Sequence, residues 1–137
     1  MLKIFERIIK GKHRILDENL KKYGLQPSNV KRFEKGYKEI SFITTTGTVV
    51  LKINRDSLDI CEFFKNSHMF IYGMGQYINV NLVKSSRKYF SKRPFKLMVY
   101  FKDNTKIKLS HDYQVDSLKH LNDEIRKHLN DEIRSFL

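Results

Sequence analysis

Between residues 30 and 109 the sequence is cut into short segments in which polar and apolar residues alternate, each ended by turn-forming residues. A period of two marks strands that bury one face. Short strands in close succession, joined by tight turns, restrict a chain to antiparallel sheets. Residues 30–34 read as a first strand, with Gly36 in the loop that follows. Residues 38–45 set Ile40, Phe42 and Thr44 on one face, Thr46-Gly47 supplies a hairpin turn, and residues 48–53 return. A second series begins at 70–72 and passes through Gly73-Met-Gly75 to 76–80. Residues 83–90 and 95–101 follow, joined by Ser91-Lys-Arg-Pro94, and a tight turn at 102–105 leads into 106–109.

Helical spacing interrupts this pattern. Leu2, Phe5, Ile8 and Ile9 fall near one face of a helix over residues 2–10, which suits a short docking helix or, alternatively, one lying on a membrane surface. Asp17 is placed to cap a second short helix, with Gly24 as its stop and Pro27 closing the segment. Ser57 reads as the cap of an internal helix that carries Leu58, Cys61 and Phe64 on one side. Cys61 is expected to be a small core residue. A long helix is expected from near Asp112.

That last helix holds an identical octad twice, Lys-His-Leu-Asn-Asp-Glu-Ile-Arg at 119–126 and at 127–134. Its apolar positions Leu121, Ile125, Leu129 and Ile133 are four apart. At about 100° per residue the stripe turns by ~40° at each step, so it drifts around the helix and is not a heptad seam. A duplication that lengthens a terminal helix accounts for it; a dimerisation or partner helix is the alternative.

The charge is uneven. Overall, 27 Lys+Arg face 15 Asp+Glu, a net charge of +12. Residues 63–110 hold ten Lys/Arg and one acidic residue, Asp103, whereas residues 111–137 hold four Lys/Arg and six Asp/Glu. The basic surplus thus sits on the strand-and-turn half, where cations in turns can follow a phosphate backbone. Lys84, Arg87, Lys88, Lys92, Arg93 and Lys96 are its densest group, with Tyr89, Phe90 and Phe95 interleaved. Those aromatics are expected on the inward face of a sheet; base stacking in a single-strand binder is the alternative.

Other classes find little support. One cysteine excludes an intrachain disulfide and suits a reducing compartment. No stretch approaches the ~20 apolar residues of a membrane span, and no signal peptide is evident, so a cytoplasmic protein of one domain with short appendages is expected. The five histidines form no cluster at metal-ligand spacing, and Gly73-Met-Gly75 is too short for a nucleotide fingerprint. No metal, no cofactor and no enzymatic activity are expected.

The order of elements resembles the LytTR family of bacterial transcription regulators. Asn29-Val-Lys-Arg-Phe-Glu-Lys-Gly-Tyr-Lys-Glu-Ile-Ser-Phe-Ile-Thr-Thr-Thr-Gly47 is similar to that family's opening strand, loop and hairpin. Ser57-Leu58 resembles the start of its Ser-Leu helix. Met69-Phe-Ile-Tyr-Gly-Met-Gly-Gln-Tyr-Ile-Asn-Val-Asn-Leu-Val83 is similar, without gaps, to its most recognisable block, and Leu109-Ser110 fits its closing strand. The resemblance covers residues 29–121 and leaves out 1–28 and the tail at 122–137.

It implies a mostly β (α+β) fold, an elongated stack of small antiparallel sheets with one internal helix and a long C-terminal helix. It also implies a stand-alone binder of double-stranded DNA, without a receiver domain, that acts on transcription. Two copies on direct repeats, with loops in successive major grooves, would be the mode. Carried over, the first loop supplies Lys35, Tyr37 and Lys38, and the second supplies Met74 and Gln76 before the signature asparagine, Asn79. His111 takes the place of an arginine in the last turn. Arg87, Lys88, Lys92 and Arg93 join them as expected phosphate contacts. Asn79 is expected more to brace its turn than to read a base. This chain departs from the family at Ile71, Gly73 and Met74 and at His111-Asp112, where the usual forked arginines are missing. A protein-interaction module on the same scaffold, with self-association or a regulatory partner, is the alternative function.

Overall fold

The computed structural model describes residues 14–135. The expected helix at 2–10 lies outside the described residues. Residues 14–23 form α1, so Asp17 sits inside the helix rather than capping it. Gly24 does end it, at φ 65°, with its N–H donating to Lys21 O and the N–H of Leu25 donating to Leu20 O. Glycine reaches that left-handed region without a Cβ penalty.

Two antiparallel sheets follow, as the alternation predicts. β1 (Val30–Lys35), β2 (Glu39–Thr44), β3 (Thr48–Lys52), β4 (Phe70–Gly73) and β5 (Gln76–Asn79) make a five-stranded sheet in the order β3-β2-β1-β5-β4. β6 (Val83–Tyr89), β7 (Phe95–Phe101) and β8 (Lys106–His111) make a three-stranded meander. A short 3-10 turn at Val80–Leu82 joins them. α2 (Arg55–Asn66) is the internal helix and α3 (Val115–Ser135) the long terminal one.

The first sheet buries Phe33, Ile40, Phe42 and Leu51 against Ile60, Cys61 and Phe64 of α2. Cys61 is buried, and burial pushes its thiol pKa up, which keeps it the unreactive core residue expected. Ser57 does not cap α2. Asn54 does, accepting from Ser57 N–H at 2.9 Å, while the Ser57 hydroxyl accepts from Asn54 N–H at 2.9 Å. This reciprocal capping box satisfies two helix-terminal donors at once.

α3 covers the inward face of the second sheet. Leu118, Leu121 and Ile125 pack with Val83, Leu97, Val99 and Phe101, and Ile78 of β5 joins the same cluster. The helix also lies close on β4. A Cβ built on Gly73 would stand 2.9 Å from Leu121 Cδ2, so the strand end and helix approach each other only because that position has no side chain. The octad stripe behaves as its rotation requires. Leu121 and Ile125 are fully buried, Leu129 is partly buried, and Ile133 is 60% exposed. A stripe that turns by ~40° per step leaves the core after two or three steps.

The two sheets are tied by polar bonds. Lys31 of β1 is buried, and its Nζ lies 3.1 Å from Asp103 Oδ2 and donates to Thr105 Oγ1 at 3.0 Å in the turn between β7 and β8. Ser86 donates to Asn122 Oδ1 at 2.6 Å, and Arg126 donates to Ser86 O at 2.9 Å, which fixes α3 to β6.

Candidate nucleic-acid interface

Two groups of turns carry the expected site residues. The first is at one end of the five-stranded sheet. Pairing of Phe33 with Tyr77 and of Arg32 with Ile78 sets the end of β1 beside the start of β5. The turn holding Lys35, Tyr37 and Lys38 therefore lies next to the turn holding Met74 and Gln76. Lys35, Tyr37 and Lys38 are all exposed, and Tyr37 is 94% exposed. Gly36 N–H donates to Glu39 O at 2.8 Å and closes this turn.

The second turn is a two-residue hairpin between the paired residues Gly73 and Gln76. Met74 (φ 54°) and Gly75 (φ 77°) both take the positive φ that such a connection needs. Glycine does this freely; a methionine is strained there. The Met74 side chain packs on the second core instead of projecting into solvent, and that burial offsets the strain. Gln76 is half-buried, and its Oε1 accepts from Arg32 Nη1 at 2.8 Å. Neither side chain is as available as those of the first turn.

Asn79 is fully buried. Its Nδ2 donates to Pro27 O at 2.7 Å and to Val30 O at 3.0 Å, and its Oδ1 accepts from Asn81 N–H at 3.0 Å. It locks the segment before β1 to the turn after β5, the bracing role expected of it, and it stands off any surface a base could reach.

The second group of turns is at one end of the three-stranded sheet. Phe95 pairs with His111, so the 91–94 connection and the 111–114 turn are neighbours. The Arg93 guanidinium lies 5.1 Å from the Tyr113 ring centroid. His111 does not project as an arginine would. Its Nδ1 accepts from the N–H groups of Tyr113 and Gln114, at 3.0 and 2.9 Å. It thereby organises the turn that delays α3 until Val115, later than the expected Asp112. Lys92 and Arg93 are exposed.

Arg87 and Lys88 are exposed but point to opposite faces of β6, since successive residues of a strand alternate. Arg87 pairs with Met98, on the solvent side; Lys88 pairs with Leu97, on the α3 side. The aromatics divide likewise. Phe90 and Phe95 pack on the second core as expected, but Tyr89 faces outward beside Arg87, 5.3 Å from ring centroid to guanidinium.

Sequence reasoning missed part of this outer face. The pairs Arg87 with Met98, Tyr89 with Lys96, and Ser85 with Tyr100 in β6 and β7 continue into Met98 with Lys108 and Tyr100 with Lys106 in β8. The alternating Lys106-Ile-Lys108 was a legible signal; which partners it faces depends on register. Among the described residues, no group of three or more His, Cys, Asp or Glu could hold a metal ion, and no helix is long and apolar enough to cross a membrane.

The molecule is thus an α+β domain of two antiparallel sheets whose exposed turns and second sheet are basic. A LytTr DNA-binding domain from Bacillus cereus is similar to it in structure, with a TM-score of 0.47 and 19% sequence identity over 71% of this chain and 84% of that one. No protein-family profile matches the sequence. No curated protein matches it either.

Proposed function

We propose that this chain binds double-stranded DNA with a sequence preference and regulates transcription. Residues 29–121 would be the binding unit, with 1–28 and 122–137 as appendages. The observation that carries the reading is the juxtaposition of the 35–38 and 73–76 turns at one sheet end, the first fully exposed with Lys35, Tyr37 and Lys38. A protruding turn of this kind can enter a major groove, where a lysine pairs with guanine O6 and N7. Lys92 and Arg93 at the far turn, with Arg87, would hold phosphates and set orientation without reading sequence. Two copies on direct repeats, in a cytoplasmic protein, complete the proposal.

Titration of the protein against duplex fragments at several salt concentrations tests it. A preference for one sequence that persists as salt rises is the expected outcome. Binding that is indifferent to sequence, or absent at low salt, would overturn it.

A second reading, a protein-interaction module that no longer reads DNA, is favoured by one observation. Gln76, Asn79 and His111 spend their polar groups inside the fold. Sedimentation of the chain with and without residues 120–137 tests the self-association this reading implies.

A further inference from the structure

We propose that the solvent face of the three-stranded sheet is a platform for single-stranded nucleic acid, distant from the turn after β1 and sharing Arg87 with the phosphate contacts at the 91–94 end. The proposal does not rest on the duplex reading. Strand pairing brings Arg87 and Tyr89 of β6, Lys96, Met98 and Tyr100 of β7, and Lys106 and Lys108 of β8 to this one face. These residues come from three strands and form a surface only through register. A shallow open groove of about 590 Å³ runs over it, lined among others by Tyr89, Lys96, Met98, Tyr100 and Lys108 and reaching Lys92 and Arg93.

Three properties of the face select the ligand. The face itself is basic, since neither the three strands nor the connection at 90–94 contains an Asp or Glu. That suits a polyanion. It is also aromatic, with Tyr89 42% exposed and Tyr100 partly exposed. A duplex hides its base faces, so outward tyrosines on an open sheet face gain little from one. An unpaired strand offers bases that stack on them.

The spacing fits as well. Tyr89 lies opposite Lys96, four residues along β7 from Tyr100. At ~3.4 Å per residue that separates the two rings by about 14 Å, so each takes its own base. Arg87 beside Tyr89, and Lys106 opposite Tyr100, put a cation next to each ring for the adjoining phosphate. Tyr113, 73% exposed beside Arg93, extends the row at the end of the sheet.

Fluorescence anisotropy of the full chain with a labelled oligothymidylate, and with a duplex of the same length, tests the proposal. The variants are Tyr89→Ala with Tyr100→Ala, the same pair changed to Phe, and Lys96→Gln with Lys108→Gln; thermal melts confirm that each is folded. The alanine pair should weaken single-strand binding by about tenfold or more while leaving duplex binding unchanged. The phenylalanine pair should bind the single strand like the parent, because the ring and not the hydroxyl does the stacking. The lysine pair should weaken the single strand and flatten its salt dependence. Equal single-strand affinity in the folded alanine pair would overturn the proposal. So would a lysine pair that loses only the duplex, or a chain that binds anionic vesicles through these lysines and ignores single strands.

Discussion

The two sheets obey the same alternation and present different electrostatic surfaces, one mixed and one basic. On the first, the side facing away from α2 mixes signs. Arg32 and Glu34 of β1 share it with Glu39 of β2 and Lys52 of β3, by the pairings of those strands. The turn after β1 adds the exposed Lys35 and Lys38. On the second sheet, the side facing away from α3 carries Arg87, Lys96, Lys106 and Lys108 and no acid. A mixed face is what solubility alone requires. A face of one sign keeps a local self-repulsion that a polyanion relieves. The difference separates cations that protrude from a turn from cations arrayed along a strand face.

The contrast can be broken first on stability. Ile125→Ala empties a fully buried site in the second core and should cost about 2–5 kcal/mol in urea unfolding. Ile133→Ala, on the same stripe two steps later, should change stability by no more than about 0.5 kcal/mol. Equal costs would mean that the end of α3 is covered by something else. Next, Asn79→Ala leaves the buried carbonyl of Val30 and the partly buried one of Pro27 without their donor and should cost about 1–3 kcal/mol. Under the proposed function, the preferred DNA sequence should not change, because Asn79 is fully buried.

Smaller effects separate a cation proposed to read a base from one proposed to hold a phosphate. Lys38→Ala should relax sequence preference by up to about 1–3 kcal/mol at one base position, read by competition between duplexes. Lys92→Ala should weaken all duplexes alike and lower the salt slope by about one. The smallest effect concerns the link between the sheets. Hydrogen bonds from the Thr105 side chain and N–H, followed by Lys31, hold the Asp103 carboxyl below its ordinary range. A carboxyl depressed in the folded state stabilises fully above its unfolded value, near 4, and ceases to as pH falls through the folded value. Asp103→Asn should therefore lower the melting temperature at neutral pH, and the gap to the parent should close as pH drops below about 4.

Most of the fold was legible because its strands bury one face each, and period-two patterning is written directly in Ile40, Phe42 and Thr44 or in Leu97, Val99 and Phe101. The octad stripe was equally plain, since a rotation per step is arithmetic on the sequence. Helix starts were less so. Asp17 and Ser57 are both good cap residues, but caps are settled by backbone geometry, and Asn54 outcompeted Ser57 by occupying the extended position before the helix.

The candidate site was half legible. The exposed first turn follows from its lysines and glycine. The fates of Gln76 and His111 do not, because each is taken up by a partner that only folding supplies, Arg32 in one case and two backbone N–H groups in the other. The outer face of the second sheet was invisible as a unit. Tyr89 and Lys108 are nineteen positions apart in sequence and share a surface only through the register of β7.

The central claim is that the turn after β1 reads duplex DNA. It is tested most directly by selecting bound sequences from a pool of randomised duplexes, with the parent chain and Lys38→Ala in parallel. The parent should enrich one motif, and Lys38→Ala should lose preference at a single position of it while the rest persists. A parent pool that stays random after repeated rounds, or a motif that Lys38→Ala retains in full, would contradict the assignment.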